Sequence, residues 1–168
     1  AVNALTDAGM VPDESFLWWA MRPSLNHPTV ELRICDSCTR LSDALVVAAL
    51  YRTLFYFAAR SEDVPSLLSG AAEVILDENR WQAARHGIDA HFIVPDCSGA
   101  ADIGVILRKL SIAMQVASCE LESEDCFTSA ARIVSHGTSA DRQLAVFENA
   151  ACEPGTGALR AVARSVAD

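Results

Sequence analysis

One short segment of alternating side chains constrains this chain more than any other feature. The side chains of residues 29–36 alternate between apolar and polar, which predicts a β-strand with two unlike faces. Glu31 and Arg33 share the polar face. A carboxylate and a guanidinium side by side are costly to bury unless a ligand such as a metal ion or a phosphate uses them. The polar face is therefore a candidate active-site floor, and a solvated, salt-bridged surface strand is the alternative. The aliphatic side chains predicted to be buried on the other face are Val30, Leu32 and Ile34.

A second polar segment, residues 78–87, predicts the end of a helix. Gly87 is suited to stop the helix in a left-handed conformation. Asn79 and Arg80 precede two small alanines, and Arg85 lies near the end of the segment. Two arginines with an asparagine suit the planar, multidentate binding of phosphate or carboxylate. For this segment alone, a solvated helix end is the alternative.

Three segments together resemble the glutamate–cysteine ligase type 2 family, also called the YbdK-type carboxylate–amine ligases. They are, in chain order, LWWAMRPS at 17–24, HPTVELRICD at 27–36 and ENRWQAARHG at 78–87. The run GTSADRQ at 137–143 fits a further family segment, in which a Gly precedes Ala-Asp-Arg-Gln. The resemblance extends over essentially the whole chain and corresponds to the C-terminal half of such a ligase. We therefore expect residues 1–168 to form half of a single catalytic domain whose N-terminal half is not in this chain.

The resemblance implies an ATP- and Mg²⁺-dependent carboxylate–amine ligase with a fold similar to glutamine synthetase. Such enzymes phosphorylate the side-chain carboxylate of glutamate or a related acid, and an amine then displaces the phosphate to leave an amide. The expected partners are a glutamate-like amino acid and an amine, and the sequence does not decide which. A non-catalytic fold half that docks onto a partner chain is the alternative from another class. A phosphagen-kinase-like phosphotransferase is a weaker alternative, because the motifs do not resemble that family.

The resemblance also implies roles for individual residues. Glu31 matches the family's metal-ligating glutamate. Arg33 is expected to stabilise charge on the transferred phosphate, and Arg22 to contact a substrate carboxylate or phosphate. One glutamate cannot hold a Mg²⁺–ATP cluster, so further acids are expected from the N-terminal half. The family's Asn-Arg motif is matched by Asn79, Arg80 and Arg85. An ATP-binding role and a structural role both remain open for this motif.

Three other residues have two interpretations each. Trp18 and Trp19 are expected to pack as core, with the lining of an amine pocket as the alternative for one of them. Arg142 is expected on a helix surface, and a contribution to a substrate pocket is its alternative. His27, which precedes the predicted strand, is interpreted as structural rather than as a general base.

Composition excludes some classes of function. The net charge of −9, with lysine only at position 109, argues against a nucleic-acid partner. Six cysteines in a chain with 51% hydrophobic residues are expected to be reduced thiols, as in a cytoplasmic protein. The lone Cys35/Cys38 pair has no second pair at zinc spacing, so we expect no metal or redox role for it. We expect a homo-oligomer, and no membrane span because Arg52 interrupts the apolar run.

The predicted fold class is α+β, in which a few antiparallel strands, including residues 29–36, are backed by a helical layer. The helix over residues 42–60 is apolar almost all round and is expected to be largely buried behind the sheet. We found no domain boundary. The other predicted helices cover residues 66–86, 102–121, 123–135, a segment ending near 151, and 158–167.

Overall fold

A computed structural model describes residues 2–24, 26–61, 70–94, 99–152 and 157–167. The chain divides into two compact units, Ala1–Ser37 and Cys38–Asp168, a division that the sequence did not indicate. The structure is a mixture of helices with two small antiparallel sheets of two strands each, which agrees with an α+β class.

The smaller unit is a hairpin preceded by a helix and a turn. Val2 and Leu17 are its buried side chains among the described residues. Pro23, which has no N–H to donate, lies at the end of its strand. The elements are α1 (Val2–Asp7), a 3-10 turn (Glu14–Phe16), β1 (Met21–Pro23) and β2 (Val30–Leu32).

The larger unit is mainly helical. Most predicted helices are confirmed, although residues 66–69 of the helix predicted over 66–86 lie outside the described residues. Gly87 ends that helix with φ 57° as expected. The helix predicted over 102–121 is interrupted at Met114, and the strand at 100–102 was not predicted. The elements are α2 (Leu41–Arg60), α3 (Gly70–His86), β3 (His91–Ile93), β4 (Ala100–Asp102), α4 (Ile103–Ala113), α5 (Gln115–Glu120), α6 (Asp125–His136), α7 (Ser139–Ala151) and α8 (Ala158–Ala167).

The hydrophobic core of the larger unit lies between α2, α4, α5 and α6. The half-buried side chains of α2 that pack against it recur at helical spacing, which gives this helix one inward face. The buried core residues are Leu107, Met114, Ala117, Cys126, Phe127 and Ala130.

The expectation that α2 is largely buried was wrong. Thr53 is its one buried residue, while Leu41 is 76% exposed, Leu45 61% and Phe55 45%. The reason is that the described chain supplies neighbours for one side of the helix, so all-round apolarity did not mean all-round burial. Among the described residues, α2 is also long and apolar enough to cross a membrane, judged by length and composition alone.

A capping box begins α7. The Thr138 side chain accepts from the Asp141 backbone N–H, and the Asp141 carboxylate accepts from the Thr138 backbone N–H at 2.7 Å. Hydrogen bonds from the Thr138 hydroxyl and backbone N–H lower the pKa of Asp141. A carboxyl whose pKa is lowered by folding stabilises the folded state above its unfolded pKa, and this contribution is lost as the pH falls through the folded value.

We therefore expect Asp141→Asn to lower the free energy of unfolding by about 1 kcal/mol at pH 7. The difference from the parent should start to shrink as the pH falls below about 4, where the unfolded carboxyl becomes protonated, and should be lost once the pH falls below the lowered folded pKa. Urea unfolding of both chains at several pH values measures it. Glu148→Gln, an exposed change within the same helix, is the control. A difference that stays constant from pH 7 to acid would contradict the role given to the Asp141 charge.

Candidate active site

The pairing of β1 with β2 places Arg22 directly opposite Glu31. The antiparallel register also pairs Met21 with Leu32 and Pro23 with Val30. Directly opposed residues point to the same sheet face with Cβ atoms about 5 Å apart. The register therefore adds Arg22 to the polar face that strand alternation assigns to Glu31.

Glu31 lies between two arginines. Its Oε2 accepts from Arg22 Nη2 at 2.7 Å, and its Oε1 accepts from Arg33 Nη1 at 3.0 Å. Partial desolvation raises the pKa of Glu31, but the hydrogen bonds from Arg33 and Arg22 lower it and prevail. The carboxyl is thus ionised at neutral pH, and the three side chains form a cluster with a net charge of +1.

Arg22 is anchored on the side away from Glu31. Its Nη1 donates to the backbone carbonyls of Glu14 and Ser15 at 3.2 and 3.1 Å. Asp13 fixes that turn, since its carboxylate accepts from the Ser15 N–H at 2.8 Å. The hydrogen bonds from Ser15 lower the pKa of Asp13, which keeps this cap charged. Arg22 is therefore held from two sides and in turn holds Glu31 in place.

Arg33 is held differently. Within the described part of the chain, its guanidinium donates one hydrogen bond, to Glu31, and lies 4.7 Å from the ring centroid of Trp18. Its remaining N–H donors are more available to an incoming anion than those of Arg22. Trp18 was expected in the core, but it is 79% exposed, and Trp19 is 38% exposed. The core prediction was wrong because the segment before β1 runs along the surface of a unit with little interior.

The strand prediction is confirmed for Val30–Leu32 only, which is shorter than the predicted 29–36 and leaves Arg33 and Ile34 just beyond the strand. Glu31 and Arg33 lie on one side of the strand, as their hydrogen bond requires. The burial of the opposite face is less than expected, since Val30 and Leu32 are half-buried and Ile34 is 53% exposed. A sheet of two strands with no third layer cannot cover that face completely.

The metal assignment to Glu31 has limited support from its surroundings. In the described ranges, no group of three or more His, Cys, Asp or Glu side chains is arranged to hold a metal ion. A carboxylate oxygen is a ligand type that Mg²⁺ accepts, but Mg²⁺ requires near-octahedral coordination. Two adjacent guanidiniums also favour anions over a bare cation. The residues present fit one ligand of a metal–nucleotide complex and do not complete a metal site.

Asn79 has a structural contact in the larger unit. Its Oδ1 accepts from the Ile93 N–H at 2.8 Å and its Nδ2 donates to the Ile93 carbonyl at 2.9 Å. The side-chain amide thereby pairs with β3 as a neighbouring strand would. This contact gives Asn79 a structural role at β3, and the ATP-binding role of the motif stays a prediction. Arg80 is exposed and contacts Asp77 at 3.4 Å, and Arg85 is exposed.

Asn79→Ala tests this contact. We expect it to lower the free energy of unfolding by about 1–3 kcal/mol, because two half-buried backbone groups of Ile93 lose their partner. Gln82→Ala, which removes an exposed hydrogen bond to Glu78 one helical turn away, should cost about 0.5 kcal/mol or less. Chemical denaturation measures both variants. Equal losses in the two would show that the amide of Asn79 does not clamp β3.

Arg142 connects the start of α7 to the start of α2. Its Nη2 donates to Asp43 at 2.6 Å and to Ser139 Oγ at 3.2 Å, and its Nη1 donates to the Gly137 carbonyl at 2.8 Å. The side chains of this ion pair are 24% and 15% exposed. Arg142 is thus a partly buried tether within the larger unit rather than a free surface arginine.

Two contacts were not predicted from the sequence: the indole of Trp18 with Arg33, and Asp43 with Arg142. The first could have been predicted from the strand register. Once Arg22 is paired with Glu31, the register continues to Ala20 opposite Arg33, where the Ala20 carbonyl accepts from the Arg33 N–H at 2.8 Å. Trp18 then lies diagonally beside Arg33 on the same face, within reach of a long side chain. No local signal identifies Asp43, which is 99 residues from Arg142.

Comparison with known proteins identifies the family. The family model described as glutamate–cysteine ligase family 2 matches residues 1–165. Three relatives share the name "Putative glutamate–cysteine ligase 2". The one from Bradyrhizobium sp. (strain BTAi1) is 38% identical over 90% of this chain and 37% of its own length. The one from Pseudomonas entomophila (strain L48) is 40% identical over 96% of this chain and 42% of its own length. The one from Rhodospirillum rubrum is 38% identical over 89% of this chain and 38% of its own length.

The chain therefore spans less than half the length of the curated relatives that it matches. The family match, in contrast, takes in nearly all of its residues and both of its compact units. The chain belongs to glutamate–cysteine ligase family 2.

Proposed function

We propose that this chain is part of an ATP-dependent carboxylate–amine ligase of the glutamate–cysteine type, with a catalytic fold like that of glutamine synthetase. The complete ligase is this chain joined to a further segment, the one that corresponds to the part of its relatives outside the match. The observation that carries the proposal is the position of Glu31 between Arg22 and Arg33, in a chain that belongs to a ligase family. A cationic cluster around an ionised carboxylate suits chemistry in which negative charge develops on a phosphate.

The proposed reaction has two steps. A side-chain carboxylate oxygen of the acid substrate attacks the γ-phosphorus of ATP, so that ADP leaves and an acyl phosphate forms. The nitrogen of the amine then attacks the acyl carbon, inorganic phosphate leaves, and the amine loses a proton. Both steps involve anionic oxygens that guanidinium groups can stabilise in position.

The two arginines have different tasks in this proposal. Arg33, with more donors available, binds the phosphate oxygens as charge shifts onto them. Arg22, already anchored to the turn carbonyls, holds Glu31 and presents its remaining donors to a substrate carboxylate or phosphate. Glu31 would supply one oxygen ligand to Mg²⁺, whose charge would neutralise the phosphates, and the other ligands would come from the rest of the complete ligase.

In this proposal, Arg80 and Arg85 are the residues of the Asn-Arg motif that bind ATP. Asn79 is occupied with β3, which leaves Arg80 and Arg85 as the exposed cationic groups of that segment. An arginine on an exposed helix face can pair with a phosphate without first breaking a buried contact. Both residues belong to the larger unit, and Arg22, Glu31 and Arg33 belong to the smaller one.

Trapping the acyl phosphate tests the proposal. The complete ligase is incubated with Mg²⁺, ATP, glutamate and hydroxylamine, which converts an acyl phosphate to a hydroxamate and inorganic phosphate. We expect hydroxamate to form in proportion to ADP and to depend on Mg²⁺ and on the acid. A panel of amines in place of hydroxylamine then identifies the second substrate. A complete ligase that folds and binds its acid but yields neither ADP nor hydroxamate would favour the alternative, a non-catalytic module that docks onto a partner chain.

A further inference from the structure

Trp18 contacts Arg33 but has no role in the proposed reaction so far. Trp18 is 79% exposed, which leaves a large apolar surface in water. The guanidinium carbon of Arg33 lies 4.7 Å from the centroid of its ring. A cation within about 6 Å of an indole centroid is attracted by the negative face of the ring. The exposed indole is thus engaged with the most available cation of the site.

The backbone on both sides of Trp18 is fixed. Leu17 is buried, and its N–H donates to the Glu14 carbonyl at 3.0 Å. Two residues further on, the Ala20 carbonyl accepts from the Arg33 N–H at 2.8 Å. Trp18 therefore lies in a short segment that is fixed at both ends. At its second end, Ala20 is hydrogen-bonded to Arg33, the residue that the indole contacts.

Arg33 needs such a support more than Arg22 does. The Arg22 guanidinium is bonded to two backbone carbonyls and to Glu31, whereas the described residues give the Arg33 guanidinium a single hydrogen bond, to Glu31. A long arginine side chain loses considerable rotamer freedom when it is fixed. The indole limits that freedom because the guanidinium carbon lies over its ring, and the N–H donors that are not bonded to Glu31 remain available to a ligand.

From this geometry we infer that Trp18 is a positioning residue, which holds the guanidinium of Arg33 by cation–π contact so that its N–H edge is directed at the phosphate being transferred. The positioning of Arg33 is read from the contacts, while its consequence for catalysis rests on the proposed ligase function. Trp18 itself is not assigned any contact with substrate.

Two readouts on the complete ligase test the inference. The first is the NMR signal of the Arg33 Nε–H, which is assigned by its disappearance in Arg33→Lys. Contact with the indole face should shift this signal upfield, and Trp18→Leu should abolish the shift. Trp18→Phe should keep part of it, because phenylalanine retains a smaller π-face. This readout does not depend on any enzymatic activity.

The second readout is the split between kcat and KM. Trp18→Leu should lower kcat by about two- to fivefold, the amount expected of an exposed cation–π contact. The KM for ATP should change by less than about twofold, since an arginine that acts mainly in the transition state contributes little to ground-state binding. Trp18→Phe should recover most of the loss. Phe16→Leu, which alters another exposed aromatic of the same segment, is the control and should leave kcat and the Arg33 signal unchanged.

The outcomes separate the inference from the proposed function. An active parent in which Trp18→Leu changes neither kcat nor the Arg33 signal overturns the positioning role and leaves the ligase proposal standing. A parent that forms no amide overturns the ligase proposal, and the NMR shift then decides alone whether Trp18 holds Arg33. A rise in KM with kcat unchanged would show that Trp18 binds substrate directly, which also overturns the inference.

Discussion

Replacement of Glu31 by glutamine should reduce amide formation by the complete ligase on the order of 10²–10³-fold, while the fold stays intact. Glutamine has nearly the same size as glutamate and keeps one acceptor oxygen, but its second polar atom is a donor and it lacks the negative charge that a hard cation requires. It also leaves Arg22 and Arg33 without the carboxylate that each contacts. The loss of these two ion pairs should cost little stability, because the Glu31 side chain is 49% exposed.

The measurement is the rate of ADP and amide formation under saturating substrates, with thermal unfolding as the check on folding. Glu148→Gln applies the same chemical change to an exposed glutamate of α7 and should retain the parent rate. A Glu31→Gln protein that folds normally and turns over at a rate close to the parent would rule out Glu31 as a metal ligand.

The polypeptide of residues 1–168 should by itself form no amide from ATP, an amino acid and an amine. The smaller unit supplies one carboxylate flanked by two arginines, and the described ranges contain no cluster of metal-ligating side chains. Its sheet has two strands among the described residues, and no described strand flanks either of them on the other side. A site of this kind can hold part of a phosphate but cannot complete a metal–nucleotide complex.

The hydroxamate assay on the purified chain measures this, with thermal unfolding to confirm that the chain is folded. Co-expression with the segment of the Pseudomonas entomophila relative that lies outside the match should restore hydroxamate formation, because that segment would supply the missing metal ligands. Glu31→Gln in the co-expressed chain should remove the restored activity. Amide formation by residues 1–168 with no other polypeptide present would refute the prediction.

The exposed side of α2 also bears on the arrangement of the complete ligase. Leu41, Leu45 and Phe55 recur at spacings of four and ten residues, so they form one exposed stripe that flanks the core-facing side of the helix. A stripe of this kind is more apolar than solvated helices usually are. The apolar character of α2 was therefore recognised correctly. Its burial was overestimated because the described elements pack against one side of the helix only.

Local periodicity was sufficient to predict part of the site. The placement of Glu31 and Arg33 on one side of a strand follows from a side-chain repeat of two residues, a property of the backbone that needs no tertiary information. The stop of α3 at Gly87 and most helix positions follow in the same way from local conformational preference. The family was also recognisable from short motifs whose residues are close together in sequence.

Tertiary structure decided the contacts between residues distant in sequence. The assignment of Arg22 as the partner of Glu31 required the strand register, which brings together residues 9 positions apart. The clamp of Asn79 on Ile93 spans 14 positions and the tether from Arg142 to Asp43 spans 99. The extent to which α2 is covered depended in the same way on which elements pack against it. The sequence determined which side chains share a face because that depends on the local backbone repeat, whereas register and packing set what each face meets, because they depend on how distant segments are brought together.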